Sequence, residues 1–321
     1  MNAIPAVRFE AVVRSYEGHR GVSGVTLDVA QGSLCVLLGP SGCGKTTLLK
    51  TVNRLLEPTS GRVLVEGVDV AAAVATQLRR RIGYAIQQVG LFPHLTVAEN
   101  IAVVPELLGW PPERVRARVD ELLDMVHLSP AEFRGRFPRQ LSGGQQQRVG
   151  LARALAGDPA ILLMDEPFGA VDAIERSHLQ AEMLSLQQRL RKTILFVTHD
   201  VDEALRLADT IAVMRDGHIE QSGTPLDIVG APANAFVAEL VDAHDVLRLL
   251  SVVTVAQAMS PVRAGVDGSA VPSTATLRRA LSQMAGSGSS TLPVVDGAEI
   301  AGSITLDGIL GAVRRIAARP S

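Results

Sequence analysis

Ser33-Leu34-Cys35-Val36-Leu37-Leu38-Gly39-Pro40-Ser41-Gly42-Cys43-Gly44-Lys45-Thr46-Thr47-Leu48-Leu49 is the stretch that decides the fold. The run up to Leu38 is apolar without alternation, which predicts a strand covered on both faces of a parallel sheet. Residues 46–52 carry a helical pattern. Between them, residues 39–46 match the spacing G-x-x-x-x-G-K-[ST]. Glycines let a backbone close around an anion. Successive N–H groups and the positive end of the following helix then face it. Lys45 is expected to reach the outer phosphates of a nucleotide and Thr46 to ligate Mg²⁺. Lys45 is also one of only three lysines among 31 basic residues, with Lys50 and Lys192. Arginine serves almost everywhere else, which marks this lysine out.

Working outward, similar apolar runs recur at residues 160–164 and 193–197. Helical stretches at 113–127, 145–156 and 173–190 lie around and between them, and this alternation predicts an α/β domain. Residues 7–29 alternate apolar and polar side chains with glycine breaks, predicting antiparallel strands. Residues 211–214 and 218–221 flank Asp216-Gly217, a tight hairpin turn. Thr224-Pro225 reads as an N-cap followed by an N1 proline. Residues 234–250 read as a helical connector. The composition then shifts to Gly, Ser, Ala and Val, which places a domain boundary near residue 251.

Two further features carry chemistry. Ile161-Leu162-Leu163-Met164-Asp165-Glu166 is an apolar strand ending in two carboxylates. At the carboxyl end of a strand in an open α/β sheet, such groups point into the ligand crevice. Asp165 can hold Mg²⁺ through water, and Glu166 can act as general base on an attacking water. Leu141-Ser142-Gly143-Gly144-Gln145 opens another helix, giving a second anion-facing N-terminus in the same chain. One nucleotide needs one cradle, so the second is expected to serve a neighbouring copy. Cys43 sits beside Lys45 and a helix N-terminus, both of which lower a thiol pKa. It is either a modification-sensitive thiol or an inert small residue of the loop. Cys35 reads as core.

The chain has 321 residues, 47% hydrophobic and 20% charged, with a net charge of -2. That supports one large domain and a small one, and gives no electrostatic case for nucleic acid as a partner. Two cysteines and scattered histidines suggest neither a disulfide framework nor a metal cluster, so a reduced cytosolic setting is expected. No apolar run approaches the roughly 18 residues of a bilayer span. The first residues do not read as an export signal.

In order along residues 1 to about 230, these motifs resemble the ATPases of ATP-binding-cassette (ABC) transporters. Residues 39–46 match the Walker A loop, 141–145 the signature motif and 161–166 Walker B. Tyr16 falls where that family stacks an aromatic on adenine. Gln87 falls at the Q-loop, with Gln88 the alternative by one residue. Gly169-Ala170-Val171-Asp172 resembles the D-loop, with Val171 where leucine is common. His199 matches the switch histidine. The resemblance implies a P-loop NTPase fold with a parallel-sheet core, an antiparallel β subdomain and a helical subdomain. It implies ATP and Mg²⁺ as ligands. Gly39, Ser41, Gly42, Cys43, Gly44, Lys45, Thr46 and Thr47 would hold phosphate, and Thr46, Gln87 and Asp165 the metal. Glu166, His199 and Gln87 would be the catalytic set. Two copies would sandwich two nucleotides, each site completed by Ser142, Gly143, Gly144, Gln145 and Asp172. Integral membrane permease subunits and, indirectly, a solute-binding protein are the implied partners, at the cytoplasmic face of the membrane.

Residues from about 254 to 312 resemble a single CBS domain. Its opening lies at 254–261, its first helix at 277–284, a strand at 292–296 and its closing motif at 302–307. In nucleotide-binding members, the position of Asp307 holds a ribose and that of Thr305 a phosphate, so an adenine nucleotide is a candidate ligand. A plain packing domain with Thr305 as an N-cap is the alternative. The expected division is 1–233, 234–251 and 252–316. An ABC ATPase with such a tail resembles the ATPases of osmoprotectant importers, which carry glycine betaine, choline or carnitine. Those relatives commonly carry two CBS repeats, and this chain has room for one. An importer for another polar solute, such as amino acids or polyamines, is the alternative within transport. A soluble ABC ATPase and a non-catalytic adenylate sensor are the alternatives outside it.

Overall fold

A computed structural model describes residues 4–16, 19–86, 90–169, 173–243, 245–261, 269–297 and 299–317. Gln87, Gln88, Ala170, Val171 and Asp172 lie outside the described residues. The chain divides into two compact units, one of residues 1–199 with 214–219, the other of residues 200–213 with 220–321.

In the first unit, Leu34–Leu38 is a strand whose every residue is buried. Burying each such Leu or Val contributes about 1.5–3 kcal/mol. It pairs in parallel with Thr193–Thr198, which pairs with Ile161–Asp165, which pairs with Ile82–Ala85. The register sets Leu38 opposite Thr198 and Asp165 opposite Val197. Gly39, Glu166 and His199 therefore all emerge at the carboxyl edge of one sheet, as expected for a ligand crevice of this topology. Helix Lys45–Val52 follows the first strand directly. An antiparallel sheet carries strands His19–Val29, Val7–Tyr16, Ser60–Val65 and Val68–Asp69 in that order.

Helices Val97–Leu107, Pro112–Met125 and Gly143–Leu155 pack on one another. They bury Ile101, Val119, Leu122, Val149 and Ala152. The first starts at a reciprocal cap in which Thr96 Oγ1 accepts from Glu99 N, and Glu99 Oε2 accepts from Thr96 N at 2.7 Å. The tip of the expected hairpin belongs to this unit. Asp216 and Gly217 both have positive φ, 48° and 81°, as a two-residue turn of this hand requires.

In the second unit, helix Val201–Leu207 is capped by Asp200, and helix Pro225–Gly230 by Thr224 with Asp227 in a capping box. The expected helical connector at 234–250 is built of two short helices. Asn234 caps Ala235–Leu240, Asp242 turns left-handed at φ 46°, and Asp245 caps Val246–Val252. A carboxylate that accepts its own downstream N–H restarts a helix instead of continuing it.

Helix Val246–Val252 packs against Val201–Leu207, Pro225–Gly230 and Leu277–Ser287, burying Leu249 and Leu250. Residue 251 lies in this helix. The tail holds strands Val271–Pro272, Thr291–Asp296 and Glu299–Thr305, the first two parallel and the last two antiparallel. Helices Leu277–Ser287 and Leu306–Ala317 complete it around Val271, Leu277, Leu292, Val294, Ile304 and Ile309.

Candidate nucleotide site

The loop that joins strand Leu34–Leu38 to helix Lys45–Val52 is shaped by close backbone approaches. Gly44 has φ 103°, and a Cβ there would lie 2.0 Å from the carbonyl oxygen of Gly21. Only glycine fits both the angle and the gap. The hairpin tip holds the loop from outside. Gly217 N donates to Cys43 O at 3.0 Å, and Gly217 O accepts from Ser23 N at 2.8 Å.

Lys45 is buried. Its Nζ donates to Gly39 O at 2.7 Å, to Pro40 O at 2.9 Å and toward Cys43 Sγ at 3.7 Å. All three partners are neutral. A buried cation satisfied only by neutral groups favours an incoming anion. Ser41 and Gly42 are exposed at the mouth of the loop.

Thr46 Oγ1 donates to Asp165 Oδ1 at 2.7 Å, and Asp165 is buried. A hydroxyl and a carboxylate oxygen set side by side are hard donors of the kind Mg²⁺ takes beside phosphate. Next to them, Glu166 Oε1 lies 3.2 Å from His199 Nδ1, with His199 about half exposed. Glu166 sits at φ 45°. Its N–H donates to Val197 O at 3.0 Å, and its carbonyl accepts from Gly169 N at 3.1 Å. A non-glycine residue in this region costs energy and persists only where its surroundings fix it. Here two backbone bonds aim one carboxylate. Tyr16 is exposed, and Gly21 lies between it and Thr47 of this helix: a Cβ built on Gly21 would lie 2.8 Å from Tyr16 Cε2 and 3.4 Å from Thr47 Cγ2.

Ser142, Gly143, Gly144 and Gln145 form a helix start of their own. Ser142 Oγ accepts from Gln145 N at 3.2 Å, and Gln145 Oε1 accepts from Ser142 N at 3.0 Å. Ser142 and Gly143 are exposed, so this N-terminus faces outward. The structure thus brings together Tyr16, residues 39–47, Asp165, Glu166 and His199. Gln87 and Asp172 lie outside the described residues.

The expectation of a lowered Cys43 pKa is corrected. Burial pushes the Cys43 thiol up, and the opposing pull of Lys45 is the smaller effect. Less thiolate at neutral pH and little exposure both slow attack on an electrophile. In the native chain, Cys43 is therefore expected to react with a maleimide at neutral pH at least about tenfold more slowly than a free model thiol. Both cysteines should react promptly once the chain is unfolded. Labelling of native Cys43 at the model-thiol rate would contradict its burial.

Sequence reasoning missed two polar groups of this unit. Tyr84 has its phenol pushed up by burial and by the charge of Asp165. Asn100 is fully buried, accepts from Phe92 N at 2.8 Å and donates to the carbonyls of Phe92, Leu95 and Thr96. An asparagine on the apolar side of a helix was the only signal for it.

The fold and site define a phosphate-loop nucleotide-binding cassette. Residues 22–169 match the ABC transporter family. The osmoprotectant import ATP-binding protein OsmV of Salmonella typhimurium is 52% identical over 235 residues, 73% of this chain and 62% of that protein. The glycine betaine uptake system ATP-binding protein YehX of Escherichia coli is 46% identical over 291 residues, 90% of this chain and 94% of that protein. A match over 90% of the chain necessarily runs into the tail. Among solved structures, a dimeric post-hydrolysis state of the ATP-binding cassette MJ0796 with ADP and Pi is 33% identical at a TM-score of 0.62. It covers 68% of this chain and 98% of that one. The chain belongs to the ATP-binding proteins of ABC transporters. It spans 62% of the length of OsmV.

Proposed function

We propose that the chain hydrolyses MgATP to energise an importer of quaternary-amine osmoprotectants, acting from the cytoplasmic face of the membrane. The observation that carries this reading is the pair of contacts Thr46–Asp165 and Glu166–His199 beside the buried Lys45. Lys45 and the amides of residues 39–47 would bind the phosphates, and Tyr16 would stack on adenine. Thr46 and Asp165, with Gln87, would hold Mg²⁺, which when bound offsets charge on the phosphates. Glu166 would take a proton from the attacking water, and His199 would contact the terminal phosphate. Ser142–Gln145 and Asp172 would complete the site of a second copy. The outward-facing start of helix Gly143–Leu155 and the dimeric MJ0796 cassette support that pairing.

The cargo rests on the names of OsmV and YehX, which speak of osmoprotectant import and glycine betaine uptake. No described helix is long and apolar enough to cross a membrane, so permease subunits would form the path. The test is uptake of labelled glycine betaine, carnitine and choline into vesicles holding the chain, its permease and a binding protein. Uptake is expected to require ATP and to vanish with Lys45→Met. Lys45-dependent uptake of amino acids or polyamines instead would overturn the cargo.

We further propose the division into 1–233, 234–251 and 252–316, the last a single CBS-like domain. Its support is the tail's three-stranded sheet with two helices. Thr305 Oγ1 accepts from Gly308 N at 3.0 Å, so it caps helix Leu306–Ala317, and Asp307 stands exposed in the first turn. If this end holds an adenine nucleotide, a Lys45→Met chain should still bind AMP, and Asp307→Ala should weaken that binding by about tenfold. Equal affinity of the two variants would leave the tail a packing domain.

A further inference from the structure

Helix Gly143–Leu155 begins at the Ser142 cap and carries Arg153 near its other end, about 16 Å along at 1.5 Å per residue. Arg153 Nη1 donates to Gly90 O at 2.6 Å, and its guanidinium lies 5.9 Å from the Phe92 ring centroid. Gly90 comes three residues after Gln87. From the other side, fully buried Asn100 holds both the N–H and the carbonyl of Phe92, along with the carbonyls of Leu95 and Thr96. Residues 90–96 are therefore clamped between two helices that pack on each other, Val97–Leu107 and Gly143–Leu155. A charge-assisted bond to a carbonyl is among the stronger hydrogen bonds a side chain makes. Arg153 is half-buried, and that burial lowers its pKa.

We propose that Arg153 is a positioning residue, tying the segment that follows Gln87 to the helix whose opposite end presents Ser142. Movement at the loop is then delivered to the signature end as a rigid shift of one helix. Its role in turnover rests on the reading of the chain as an ATPase; the mechanical link does not.

The test uses the full chain in two measurements. Amide hydrogen exchange without nucleotide reads the link itself. Arg153→Met should speed exchange at residues 90–96 and at 143–146 together, by about tenfold, and leave strand Leu34–Leu38 unchanged. Arg153→Lys, which keeps the charge and can still reach one carbonyl, should recover much of the protection. Exchange that rises at 90–96 alone, or equally across the unit, overturns the proposal. The second measurement is kinetic. Arg153→Met should lower kcat by about tenfold and keep MgATP affinity within about twofold. A wild-type chain without ATPase activity would refute the proposed function and leave the exchange result to decide on Arg153.

Discussion

Glu166→Gln is expected to lower ATP turnover by about 10²-fold or more while MgATP binding persists. The glutamine keeps the size and the backbone geometry. The Glu166 N–H bond to Val197 O and the bond from Gly169 N involve main-chain atoms only. What is lost is the negative oxygen, 3.2 Å from His199 Nδ1, that would accept the proton of the attacking water. Phosphate binding would be untouched, because Lys45 and the loop amides would supply it. The nucleotide-bound dimer should therefore accumulate and appear as an earlier peak in size exclusion run with ATP. Turnover near the wild-type rate would remove Glu166 from the chemistry.

Gly44→Ala is expected to have the largest effect on the loop itself. The methyl group would have to sit at φ 103° and within 2.0 Å of the Gly21 carbonyl oxygen. Neither partner of that clash is a flexible side chain, so strand His19–Val29 and the loop would have to separate. Conformational strain and overpacking together cost roughly 3 kcal/mol or more. The loop would lose the shape that aims its amides, and MgATP affinity should fall by about 10²-fold or more. Gly42→Ala is the matched control. Gly42 also has positive φ, at 83°, but no atom lies within 4 Å of an added Cβ. It should cost only the strain, about 1–3 kcal/mol. Equal losses from the two substitutions would show that the Gly44–Gly21 approach does not shape the site.

The parts of this molecule that were legible in the sequence are the ones set by local chemistry. The apolar strands, the glycine spacing before Lys45, the Asp216-Gly217 turn and the Thr224 cap each follow from neighbouring residues, and each stands where it was expected. Asp165 and Glu166 were legible as the end of an apolar strand and His199 only through the family resemblance; in the structure, parallel pairing delivers the ends of their strands to one edge.

What was misread or missed has a different cause. The thiol of Cys43 was judged from its neighbours in sequence, whereas its pKa is governed by burial, a property of the whole unit. The connector is helical as expected, but the break within it does not show in the sequence. Asp245 interrupts it by accepting from Leu247 N at 2.8 Å, a local bond that periodicity does not register. Asn100 gave only the faint signal of an amide on an apolar helix face, and Arg153 gave none. Their partners are carbonyl oxygens, Gly90 O for Arg153 and Phe92 O for Asn100, and main-chain carbonyls leave no mark on a sequence.

The most direct measurement of the central claim is phosphate release from MgATP by the purified chain across a range of protein concentrations. If two copies complete each site, as proposed, activity per chain should rise with concentration as pairs form. It should be absent in Lys45→Met and lower by about 10²-fold or more in Glu166→Gln at every concentration. Activity per chain that stays constant on dilution, or that either substitution leaves near the wild-type level, would contradict the account.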